Sequence, residues 1–178
     1  MRIFVGINIP SEVKSSIEAE ADKVLKHTKS YKKSVSKNYH LTLKFIGEMK
    51  ISDIITLDQL LAKSLKESSS FEIHLKDIGY FENDNEYILF VGVHQGVGYL
   101  NEIQQIIDQQ TSEVFGIKRT KLEPHITVAR NVVVDNKKVL KKNKTKNYSF
   151  KVDEISIYYS HRDDGILKYT ALSNIKLN

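Results

Sequence analysis

Residues 39–48, YHLTLKFIGE, constrain this chain more than any other stretch, because their core phrase returns as PHITVAR at residues 124–130. Both segments alternate apolar and polar residues, the period of a strand with one buried face. Leu41, Leu43 and Phe45 fall on one side of the first, and Ile126 and Val128 on one side of the second. Residues i and i+2 of a strand share a face, so His40 projects with Thr42, and His125 with Thr127. Each strand can therefore bury an aliphatic face and hold an imidazole and a hydroxyl on the other.

The remaining pattern mixes strands and helices. RIFVGINI (2–9) reads as a strand, with Ile3, Val5 and Ile7 on one face and Phe4, Gly6 and Asn8 on the other. Pro10 and Ser11 open a helix running to about residue 27, with Ser11 as its N-cap and a stripe of Val13, Ile17, Ala21, Val24 and Leu25. Residues 27–38 are a polar, basic loop, and the first His-Thr strand ends at Gly47. Ser52 is placed to cap a second helix whose stripe is Ile54, Leu57, Leu61 and Leu65. Residues 71–81 and 86–94 predict a hairpin around ENDN, and Leu100, Ile103, Ile107 and Val114 mark a third helix over 98–115. A short strand and a connection are expected between that helix and the second His-Thr strand. Residues 131–147 form a strongly basic surface run with room for a short helix, and strands over 149–159 and 167–175 flank SHRDDG. The order is β-α-β-α-β-β-α-β-β-β-β, without the regular βαβ alternation of a doubly wound sheet.

No linker rich in Pro, Gly and Ser divides the 178 residues, so one domain over 1–178 with two pseudo-repeated lobes is expected. The chain has no cysteine, which removes disulfides and thiolate chemistry and fits the cytosol. No apolar run approaches the roughly 18 residues of a membrane helix. A net charge of +5 suits a polyanionic partner. Lys29, Lys32 and Lys33, with the basic run at 137–146, are candidates to guide an RNA end.

Two strands facing each other across a cleft would gather two imidazoles and two hydroxyls around one point. Imidazole is matched to proton transfer near neutral pH, and threonine hydroxyls can donate to phosphoryl oxygens. Such a set suits in-line displacement at phosphorus with no metal and no cofactor. A lone strand histidine is more often structural, and it is the second copy that gives the pattern weight. Zinc motifs, a P-loop and a nucleophile elbow are all missing. His27, His74 and His94 have no partners of this kind and are expected to be surface or structural histidines.

HLTLKFIGE and HITVAR resemble the paired H-x-T-x motifs of the 2H phosphoesterase superfamily, in particular its RNA 2',3'-cyclic phosphodiesterase branch, the LigT-like or 2'-5' RNA ligase family. RIFVGINIP is similar to that branch's opening strand, and YYSHRDDGILKYTAL (158–172) resembles its closing segment, with Asp164 where proline is frequent and His161-Arg162 where an arginine and an apolar residue are common. The resemblance implies a bilobal α+β fold, two antiparallel sheets with outer helices around a central cleft. It also implies metal-independent hydrolysis of RNA 2',3'-cyclic phosphate ends to 2'-phosphomonoesters, by a monomer. His40 would be the general acid and His125 the general base, with Thr42, Thr127 and Arg130 binding the phosphate. Alternation alone puts Arg130 opposite His125, so it reaches the site only if the strand ends or bulges first. His161 is expected no nearer than the cleft rim, and Phe4 and Tyr169 are candidates to stack on a base. Action on 2'-5' oligonucleotides or an ADP-ribose cyclic phosphate would use the same four residues. A binding module without turnover, or a plain structural domain, also stays open.

Overall fold

The computed structural model describes residues 1–140 and 148–178. Nine strands form two antiparallel sheets among those residues. One sheet has the order β3-β1-β8-β9, built from His40–Glu48, Arg2–Asn8, Glu154–Asp163 and Ile166–Lys176. The other has the order β2-β6-β5-β4-β7, built from Ser30–Lys33, His125–Val133, Glu86–Gln95, Phe71–Asn83 and Ser149–Val152. Three helices, α1 (Ser11–Leu25), α2 (Ile51–Ser64) and α3 (Val97–Phe115), bury their apolar stripes against the sheets. Val114 is the exception: expected on the stripe of α3, it is exposed, and Gln104, Asp108 and Thr111 are buried on that face instead. Ile3, Val5 and Ile7 face this helix side and are almost fully buried, as their alternation requires.

Several elements differ from the sequence pattern, each for a physical reason. β2 lies inside the expected loop: SYKK has no apolar alternation and becomes a strand by pairing as an edge with β6. The expected strand over 149–159 is divided at Asp153, where β7 leaves for one sheet and β8 for the other. Residues 116–124 form no strand, and the final pair extends to 154–163 and 166–176. Ser11 and Ser52 do not cap their helices. Ser11 is the first helical residue and Pro10 holds the cap position, while Lys50 holds it for α2, and neither helix has a side-chain cap hydrogen bond. In the basic run, β6 continues to Val133 and a 3-10 turn covers Lys137–Leu140, while 141–147 lie outside the described residues.

Both His-Thr strands bulge just after the motif. In β3, Gly6 pairs with Thr42 and Val5 with Lys44, so Leu43 is an extra residue. The bulge reverses the alternation: Lys44 turns into the core, and Phe45, expected beside Leu41 and Leu43, points out and is 67% exposed. In β6, Phe90 pairs with Thr127 and Leu89 with Ala129, so Val128 is the extra residue, and Val128 and Ala129 are both buried. Arg130 therefore returns to the face of His125 and Thr127, which meets the condition set by the sequence.

Candidate active site

β1 forms the floor beside His40. Gly6 lies there because no side chain fits: a Cβ would come within 2.7 Å of the Leu41 carbonyl oxygen. That close approach keeps β1 and β3 together under the His40–Thr42 pair. Phe4 is buried beneath the imidazole, 4.7 Å from it centre to centre, and stacks on Tyr158 at 4.9 Å. Phe4 is thus unable to receive a base. Tyr169 is only partly buried and meets His40 edge-on at 4.8 Å.

His40 Nδ1 bonds the Asn38 carbonyl at 2.7 Å, and Nε2 lies 3.0 Å from Thr42 Oγ1. His125 repeats the first contact, with Nδ1 2.6 Å from the Glu123 carbonyl. A carbonyl accepts only from N–H, so in both rings Nδ1 carries the proton and Nε2 is the atom left for chemistry. Burial holds the His40 pKa down at about 4. The Asn38 carbonyl works against that shift, and the charges of Lys14, His125 and Arg130 reinforce it. Burial therefore keeps His40 neutral at pH 7. β3 and β6 lie in contact with each other, so the charges of His125 and Arg130 reach His40 from the other sheet. Tyr169 has its pKa raised by burial and opposed by Arg130 and Arg2, which reach it from different sheets.

A model of the 2'-5' RNA ligase superfamily matches residues 13–164. The chain belongs to the 2'-5' RNA ligase superfamily. An RNA 2',3'-cyclic phosphodiesterase of Methanocaldococcus jannaschii is 35% identical over 79% of this chain and 78% of its own length. A protein of the same name from Thermotoga maritima is 26% identical over 73% of this chain and 70% of its own length. The crystal structure of E. coli LigT complexed with 3'-AMP superposes with a TM-score of 0.82 at 24% identity, covering 99% of this chain and 96% of that one. At that identity the likeness speaks to the fold, which is the two-sheet α+β arrangement expected.

Within this superfamily member, His40, Thr42, His125, Thr127 and Arg130 all lie on the cleft faces of β3 and β6. His161 does not line the cleft rim. It stacks on Tyr159 at 4.8 Å and bonds the Thr170 hydroxyl at 2.9 Å, on the opposite face of β8 from Tyr158. His74 sits beside Glu72. Of the proposed guiding lysines, Lys29 is paired with Asp135, Lys33 with Glu18 and Asp22, and Lys137 with Glu82. Lys32 stands directly across from Arg130 in the register of β2 and β6, and so shares the cleft face. Sequence reasoning missed Phe81 and Phe90, which stack on each other at 4.2 Å and meet His125 edge-on at 5.2 and 5.6 Å. The alternation of β4 and β5 places them, but only the pairing of β5 with β6 reveals the neighbour. Among the described residues no group of three or more His, Asp or Glu is gathered as a metal site would require. No helix among them is long and apolar enough to cross a membrane.

Proposed function

We propose that this cleft hydrolyses RNA 2',3'-cyclic phosphate ends to 2'-phosphomonoesters by a two-histidine acid–base mechanism, within one domain of two pseudo-repeated lobes. The observation that carries the reading is the matched pair of imidazoles, each tied at Nδ1 to the carbonyl two residues before it and each offering Nε2. The names of the relatives support the substrate class. Water attacks phosphorus from the side opposite the 3'-oxygen. His125 Nε2 takes its proton as the P–O bond forms. The P–O3' bond breaks, and His40 Nε2–H gives a proton to the leaving oxygen, which becomes the 3'-hydroxyl. Thr42 and Thr127 donate to the non-bridging oxygens, and Arg130 offsets their charge. A bound phosphate anion supplies a negative counter-charge beside His40 and raises its pKa towards its working range.

The depressed pKa of His40 favours a second reading, in which His40 is the base and His125 the acid. A substrate with sulfur in place of the 3'-oxygen separates the two. Thiolate leaves without a proton, so the sulfur substrate rescues the variant lacking the acid and not the one lacking the base. Rescue of His40→Ala supports the first assignment, and rescue of His125→Ala the second. The parent is first assayed in EDTA on a short RNA ending in a 2',3'-cyclic phosphate. Formation of a 2'-phosphate, abolished in both variants, is expected. A folded parent that turns over no such RNA refutes the proposal.

A further inference from the structure

The bulge at Leu43 sends Lys44 away from the cleft, and its destination is unusual for a lysine. Its side chain is 1% exposed and pairs with Asp108 of α3. The ammonium also donates to the Lys118 carbonyl at 2.6 Å and lies 3.3 Å from the Thr120 hydroxyl. The other oxygen of Asp108 accepts from the Thr120 N–H at 2.9 Å and from Gln104 Nε2 at 2.6 Å. Gln104 Nε2 donates in addition to the Thr120 carbonyl at 2.7 Å. Both backbone groups of Thr120 are thus satisfied by side chains.

Residues 116–124 belong to neither sheet and run straight into His125. Glu123, in the same segment, supplies the carbonyl that orients the His125 ring. A continuous chain of contacts therefore links the strand of the first motif to the imidazole of the second. It runs from Lys44 to Lys118 and Thr120, and along the backbone to Glu123. A buried ion pair is weak evidence for stability, because apolar residues of similar volume do as well or better. Its directional bonds do fix geometry, and proton transfer tolerates little misplacement.

We infer that Lys44, through Asp108, Gln104 and Thr120, is a positioning residue that sets His125 against His40. The catalytic side of this inference rests on the proposed two-histidine reaction. Lys44→Met alone strands Asp108 in the core, so the decisive variant is the double Lys44→Met/Asp108→Asn, which removes both charges together. Gln104→Met is the second variant, leaving the ion pair and releasing one bond to Thr120. Each is tested for urea unfolding, for kcat and KM on the cyclic-phosphate RNA, and for the NMR signals of the two imidazoles.

The double variant is expected to unfold at a urea midpoint close to the parent's and to lose about 10- to 100-fold in kcat with KM nearly unchanged. The His125 ring signals shift while those of His40 stay in place. Gln104→Met gives the same pattern with smaller changes. A folded double variant with parental kcat and parental His125 signals overturns the inference and leaves the cluster a purely structural one. The imidazole signals report on the clamp whether or not the parent turns over RNA. Failure of the proposed reaction is therefore told apart from failure of the clamp.

Discussion

Replacing His40 by glutamine should change how the protein responds to acid, by an amount the cleft itself sets. Buried in its cleft, His40 titrates at about 4, against the usual 6.5 for an exposed imidazole. Between those two values the unfolded chain binds a proton that the folded chain refuses, so stability rises with pH across that window. The contribution is complete above the unfolded pKa and is lost as pH falls towards 4. At about 1.4 kcal/mol per pKa unit, the parent loses about 2 kcal/mol by pH 5 and about 3 kcal/mol by pH 4 from this one group. His40→Gln has no proton to gain there and escapes that loss, while every other titrating group is shared. Urea unfolding of both proteins at pH 7.5, 6 and 5, in buffers without phosphate or sulfate, measures the difference. The stability gap between them should move by about 2 kcal/mol in favour of the variant from pH 7.5 to 5. A gap that stays constant refutes the argument that burial keeps this imidazole neutral. Added inorganic phosphate should reduce the movement, because an anion in the cleft restores the proton to His40.

Other perturbations test separate parts of the site. Gly6→Ala drives a methyl group to 2.7 Å from the Leu41 carbonyl, between His40 and Thr42. It should cost about 1–3 kcal/mol in urea unfolding and lower turnover as well, and a fully active, fully stable variant removes the close-approach argument. Arg130→Gln should lower kcat/KM about 10- to 100-fold on every cyclic phosphate, the worth of a charged hydrogen bond at the phosphate. Lys32→Gln should weaken only oligonucleotides and reduce the log–log salt slope by about 0.7, measured against a cyclic mononucleotide. Equal loss on both substrates contradicts that division of roles. Asn131 has a positive φ of 51° just after Arg130, so Asn131→Val should destabilise by about 1–2 kcal/mol while Asn131→Gly does little.

His40, Thr42, His125 and Thr127 could be assigned to faces from sequence because i and i+2 are local relations within one strand. Phe45, Lys44 and Arg130 could not. Their faces depend on whether Leu43 and Val128 find partners across the sheet, and pairing is a property of β1 and β5 rather than of the motif. Lys44 reads as one more polar residue beside Thr42, yet it is among the most buried side chains. β2 was hidden for the same reason: Ser30–Lys33 has no pattern of its own and becomes a strand only along β6. Conversely, the basic character of 27–38 was plain, but charge counting could not foresee that Lys29 and Lys33 would be neutralised and Lys32 left facing the cleft.

The strand order β3-β1-β8-β9 joins residues 2–8 and 40–48 to residues 154–176. A ribosome delivers them in that order, so the pair of β1 and β3 waits for β4 to β7 to be made before β8 arrives. During that interval β1 offers a bare edge carrying Ile3, Val5 and Ile7, the kind of surface that recruits other nascent chains. The five strands of the second sheet are all complete by residue 152. Tyr158 and Tyr169, which pack around Phe4 and His40, are synthesised only after that second sheet. The half of the cleft that carries His125 can therefore be complete before β8 and β9 arrive to close the half that carries His40.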